Sequence, residues 1–133
     1  MNRNLMTTLG LLAALSAPAA ATEGDGPAGS RGEAERLLAA ARQTKRTAHR
    51  KTGEEKRRIL EETVAAYRLV LERHGDQGDL CAEAAFRVGE IERTLGDALA
   101  SRAAFEAAAA RGGDAPRFAA RAENELGHLA RRA

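Results

Sequence analysis

Apolar side chains recur along most of this chain at steps of three and four, never at steps of two, and the runs are punctuated by Gly, Asp and Pro. The strongest run places Ile59, Thr63, Ala66, Tyr67, Val70, Leu71 and His74 on one stripe of a 3.6-residue helix. It follows a weaker one, with Leu37, Leu38, Ala41 and Ala48 on a common face. Three more follow it: Leu80, Ala84, Val88, Ile91 and Leu95; Ala98, Ser101, Phe105 and Ala108; and Phe118, Ala122, Leu126 and Leu129. Five helices are predicted, and with no alternating run of β-branched residues there is no credible strand. Short connections make sequential helices antiparallel neighbours, so the fold class is all-α.

The boundaries have their own chemistry. Ser30-x-x-Glu33 and Thr52-x-x-Glu55 are capping boxes, in which each side chain satisfies the other's free backbone N–H, and they predict the starts of the first two helices. Gly75 is expected to end the second as a left-handed cap, Asp79 to cap the third, and Gly96-Asp97 to break it. The fourth helix is expected from about Ala98 to Arg111, closed by Gly112-Gly113. Pro116 sits where a first helical turn tolerates a missing N–H, and so marks the start of the fifth.

Residues 1–21 are built differently. Arg3, an apolar run from Leu5 to Leu15, and the small-residue end Ser16-Ala17-Pro18-Ala19-Ala20-Ala21 follow the grammar of a signal peptide. The run is about half the roughly 20 residues that a spanning helix needs, so cleavage after Ala21 and export to the periplasm or cell envelope are expected. Membrane contact is then limited to the transient leader. Residues 22–30, with Gly24, Gly26, Pro27 and Gly29, read as a linker, and 31–133 as the helical domain.

Aligning the chain with itself reveals a 38-residue offset: Tyr67 with Phe105, Val88-Gly89 with Leu126-Gly127, Gly75-Asp76 with Gly113-Asp114, Leu80 with Phe118, and Thr63 with Ser101. A repeated helical pair buries one side and needs neighbours to cover the other, so stacking is the expected architecture. Small residues such as Gly89 let helix axes approach closely, which offsets the roughly 1 kcal/mol cost of a helical Gly.

One unit reads Ala85-x-x-Val88-Gly89, then Leu95-Gly96-Asp97, then Ser101-x-x-x-Phe105-x-x-Ala108. In these residues and their spacing it resembles the tetratricopeptide repeats, and the resemblance extends over roughly residues 55–132. The chain departs from the pattern at Glu92, where the family has Tyr, at Ser101, where it has Ala, and at Gly113, where it has Pro. Its unit is also longer than the family's usual length of about 34 residues, in which it is similar to repeats of exported bacterial envelope proteins. The resemblance implies about two and a half stacked hairpins whose first helices line a concave groove. Glu83, Phe86, Glu90 and Arg93, then Arg121, Asn124, His128 and Arg131, would face that groove. The implied function is to bind another envelope or exported protein.

Composition narrows the chemistry. Alanine supplies 31 residues, against three Phe, one Tyr and no Trp, too few large side chains to wall off an aromatic pocket. His49, His74 and His128 are far apart in sequence and lack metal-ligand or catalytic spacing, so neither an enzyme, a cofactor nor a metal is expected. At the end of its helix, a cationic His74 would interact favourably with the helix dipole. Ser101 occupies the small-residue slot of the repeat and reads as packed rather than nucleophilic. Cys81, alone in an exported chain, is either buried or paired between chains, and burial is the better reading for a free cysteine.

The anomaly in charge is Arg42, Lys45, Arg46, Arg50, Lys51, Lys56, Arg57 and Arg58 against only Glu54 and Glu55, a local +6. An alternative function follows: an electrostatic adaptor whose basic hairpin (42–58) docks on an anionic surface or polymer. The competing reading is a solvated tip balanced by residues 59–133, with 10 basic and 13 acidic side chains. No aromatic residue in 42–58 is placed to stack on bases, so nucleic acid is not expected. The exposed side of the first helix is a candidate surface for self-association.

Overall fold

A computed structural model describes residues 31–132. The leader (1–21), the linker (22–30) and Ser30 of the first capping box lie outside them. The described chain is α1 (Arg31–Thr47), a 3₁₀ turn (Ala48–Arg50), α2 (Gly53–Arg73), α3 (Gly78–Leu95), α4 (Ala98–Ala109) and α5 (Pro116–Arg132), with no strand among the described residues. The all-α expectation holds. Each helix packs chiefly on its neighbours in the chain, and α3 also touches α1 and α5.

This places α3 between two cores. Leu80, Cys81, Ala84, Val88 and Ile91 pack with Leu38, Ala41, Leu60, Val64, Tyr67 and Val70. On its other side, Ala85 and Phe86 pack with Phe105, Ala108 and Ala122, flanked by half-buried Phe118, Leu126 and Leu129. A helix covered on both sides cannot be amphipathic in the ordinary sense, and residues 80–86 of α3 are all buried. The single stripe expected for α3 is therefore only half of its buried surface.

Small residues set the spacing of α3 and α4. A Cβ on Gly89 would lie 2.7 Å from the Phe105 ring, so the glycine is the recess into which that ring fits. Beside it the Ser101 hydroxyl, fully buried, donates to the Gly89 carbonyl oxygen at 2.8 Å. Thr63 satisfies its buried hydroxyl within its own helix, on the Ile59 carbonyl at 2.8 Å.

Several helix ends differ from expectation. Thr52 does precede α2 in extended conformation, but its side chain makes no capping bond. Gly53 turns through φ +60°, and Glu55 pairs with Lys51 at 3.4 Å instead of reaching back to Thr52. Gly75 is not left-handed: α2 ends at His74, and a turn closed by Gln77 N–H on the His74 carbonyl (2.9 Å) does what the glycine was expected to do. The left-handed cap is Gly96, at φ +91°. Asp79 lies inside the first turn of α3, after Gln77 and Gly78, and binds Arg31 at the start of α1. Asp97 does cap α4, accepting Ala100 N–H at 3.0 Å.

His74 stands at the end of α2 but is 1% exposed, and neither ring nitrogen has a hydrogen-bond partner among the described residues. Its nearest acidic atom is Glu33 Oε1, 3.8 Å away. The ring is thus a core side chain rather than a solvent-facing complement to the helix dipole. Cys81 is buried, its thiol 3.1 Å from the His74 carbonyl oxygen, and burial pushes the thiol up from its ordinary pKa. Of the two readings of this residue, the structure has the buried one.

Candidate functional site

The last two turns of α1 and the 3₁₀ turn present Arg42, Lys45, Arg46 and His49 at helical spacing, on a face that looks across to Glu83, Arg87, Glu90 and Thr94 of α3. One fixed contact pins the two together. Arg42 donates from Nε and Nη2 to both carboxylate oxygens of Glu83, at 2.9 and 2.7 Å, the fork geometry in which guanidinium and carboxylate match best. This bond raises Arg42 above its already high ordinary pKa. Next to it Arg87 binds Glu90 at 2.9 Å.

Two clefts open between these helices, of about 240 and 300 Å³, and they share the wall made by Lys45, His49, Glu90 and Ile91. The first has Arg42, Arg46 and Arg87 around it and Tyr67 of α2 in its floor. The second continues past Lys56 and Leu60 to Arg93 and Thr94. Tyr67 is 2% exposed as a residue, and its hydroxyl, which has no hydrogen-bond partner among the described residues, is open to the cleft rather than buried. Burial pushes its phenol up from the ordinary value of 10.0, against the pull of Arg87, so the group is a neutral donor across the neutral range.

Further along, Arg93 forms an ion pair with Glu125 of α5 and lies 5.6 Å from the Phe105 ring centroid. A third cleft, between α3 and α5, is lined by Arg93, Glu125, His128, Leu129 and Arg132. His128 is exposed and contacts Arg131 through Nδ1 at 2.7 Å, and Asn124 is exposed one turn earlier. Glu90, Arg93, Asn124, His128 and Arg131 are therefore at the surface.

Three residues expected in the groove are not free to meet a ligand. Phe86 is 1% exposed, its ring centroid 5.5 Å from that of Phe105 and 5.7 Å from that of Phe118. Arg121, also expected in the groove, instead covers Phe86, its guanidinium 4.6 Å from the ring centroid. Glu83 is buried and engaged by Arg42. The reason is the position of α3, whose first half is sandwiched by α1 and α5, leaving only its second half to face outward.

The basic run is divided as well. Arg42, Lys51, Arg57 and Arg58 have intrachain carboxylate partners: Glu83, Glu55, Glu61 and Glu62. Lys45, Arg46, Arg50 and Lys56 have no acidic partner among the described residues, Arg46 bonding only Gln43. Two of these four, Lys45 and Lys56, are half-buried at the clefts.

Arg87, His49 and the Tyr67 hydroxyl are members of this site that the sequence pattern did not single out. The one signal was chemical: position 67 carries a hydroxyl where its counterpart 38 residues on is Phe105. Among the described residues no group of His, Cys, Asp and Glu is arranged to hold a metal ion, and no helix is long and apolar enough to cross a membrane. Set against known protein families, curated proteins and solved structures, the chain matches none.

Proposed function

We propose that the protein is a non-catalytic interaction module of the cell envelope, a tetratricopeptide-like stack of helical hairpins that is exported by cleavage after Ala21. It holds another exported or envelope protein along the side formed by α1, α3 and α5. The observation that carries this reading is convergence: Lys45, Arg46 and Lys56, from the basic run, meet Glu90 and Arg93, from the expected groove, in the walls of two adjoining open clefts. Two segments singled out for different reasons form one surface. The hairpin reading draws support from the burial of Tyr67 and Phe105 and from the fit of Phe105 over Gly89, since stacked hairpins bury their aromatic positions against small ones.

Site-specific photocrosslinking tests it. A crosslinking side chain at Arg46 or His128, each in the wall of a cleft, is expected to trap a discrete partner in envelope extract. The same group at Arg102 or Glu106, on the exposed outer side of α4, is expected to trap none. Equal trapping from all four positions, or from none, would sink the reading.

A further inference from the structure

We propose that the adjoining clefts between α1 and α3 are a carboxylate-binding subsite for an acidic, apolar-flanked segment of the partner. The inference rests on the interaction-module reading and adds the chemistry of what is bound. Six basic side chains stand in the walls against Glu90 alone, and with Glu83 and Glu125 behind them the balance stays positive by three. The acidic groups are already committed, Glu83 to Arg42 and Glu90 to Arg87, which orients both guanidinium groups along the seam. Lys45 and Lys56, half-buried, and the exposed Arg46 have no acidic partner among the described residues and are the uncommitted charges of the walls.

Tyr67 gives an independent reason. A tyrosine whose ring is buried while its hydroxyl stays open to a cleft offers an apolar body and a polar tip, the tip free to bond whatever enters. Here the residue as a whole is 2% exposed and lines the first cleft, and its hydroxyl, without a protein partner among the described residues, is open to that cleft rather than buried. A carboxylate oxygen seated there takes a bond from that neutral hydroxyl while lying in the field of Lys45. Leu60 and Ile91 supply apolar floor beside it, suited to the methylene groups or the apolar neighbour of an acidic side chain. The clefts are open and lie side by side on one shared wall, a shape for an extended segment rather than a folded domain.

The test is fluorescence anisotropy with a labelled decapeptide of alternating Glu and Leu, and with its Gln/Leu counterpart, titrated with the purified protein near physiological salt. The acidic peptide is expected to bind at least about tenfold more tightly, as charge-assisted hydrogen bonds require. Lys45→Gln is expected to weaken it about tenfold and Tyr67→Phe severalfold, with circular dichroism showing both variants folded. Arg58→Gln removes the same charge from the same run but outside the clefts, on a residue paired with Glu62, and is expected to change affinity less than about twofold. Equal binding of the two peptides overturns the proposal, as does an Arg58→Gln effect as large as that of Lys45→Gln. So does tighter binding to phosphatidylglycerol vesicles with the same dependence on Lys45, which assigns the clefts to a lipid surface. Failure with the Arg46 crosslink retained removes only the acidic class of partner; failure of both removes the module itself.

Discussion

At the scale of single residues, Gly89 is where propensity and packing oppose each other. Alanine is the better helix former by about 1 kcal/mol, so the exposed-helix rule says Gly89→Ala stabilises. The Phe105 ring says otherwise, because a Cβ 2.7 Å from it lies inside any real contact distance, and the ring is itself wedged in the second core. Overpacking of this kind costs about 1 to 3 kcal/mol, which outweighs the gain. Gly89→Ala is therefore expected to destabilise by about 1 to 2 kcal/mol in chemical denaturation, and Gly89→Ala with Phe105→Leu to show favourable coupling in a double-mutant cycle. Independent, additive effects would mean that the ring moves aside freely. Proximity of this kind was legible in the chain only as a glycine in mid-helix; which side chain filled the recess depended on the crossing of α3 and α4.

Helix ends show what local sequence rules can and cannot decide. Asp97 and Thr52 both precede helices and both are residues that cap well, yet only Asp97 closes a bond, to Ala100 N–H. Asp97→Ala is expected to cost about 1 kcal/mol of stability, and Thr52→Ala less than about 0.5 kcal/mol. Equal losses in thermal or urea unfolding would mean that the two caps are equivalent. Helix positions followed from the three-and-four periodicity because burial of a stripe is a sum over many side chains. A cap depends on one torsion, and Gly53 at φ +60° was enough to spoil the box at Thr52.

The same scale holds a pH-dependent link. Arg31 donates to both oxygens of Asp79, at 2.9 and 2.7 Å, tying the first turn of α1 to the first turn of α3. The bond to Arg31 holds the Asp79 carboxyl below its ordinary value of 3.8. A carboxyl with a depressed folded value adds stability above its unfolded value and loses it as pH falls through the folded one. The melting-temperature difference between the protein and Arg31→Ala should thus be constant from about pH 7 to 5, shrink below about pH 4, and vanish once Asp79 is protonated in both states. It should be small throughout, because both side chains are about half exposed. A difference that persists in strong acid would assign Arg31 a packing role instead.

For the molecule as a whole, the periodic stripes gave helix number, order and most core positions, but not the arrangement in which α3 serves two cores. That arrangement hid Glu83 and Phe86 from solvent and gathered Tyr67, Arg87 and Lys45 at one seam, facts set by long-range packing. It also makes a claim about cooperativity. If α3 belongs to both cores, neither can unfold while the other persists, because losing α3 removes Leu80, Val88 and Ile91 from one and Phe86 from the other. The chain has a single Tyr and no Trp, so intrinsic fluorescence reports Tyr67 and the first core, whereas far-ultraviolet dichroism reports the five described helices together. Phe105→Ala, in the second core, is expected to cost about 3 to 5 kcal/mol. Its urea midpoint should fall by the same amount in both signals, as a two-state transition requires. A Tyr67 transition left at its original midpoint, with dichroism shifted, would show two independently folding halves joined by α3, and the seam that carries the clefts would then belong to the first half alone.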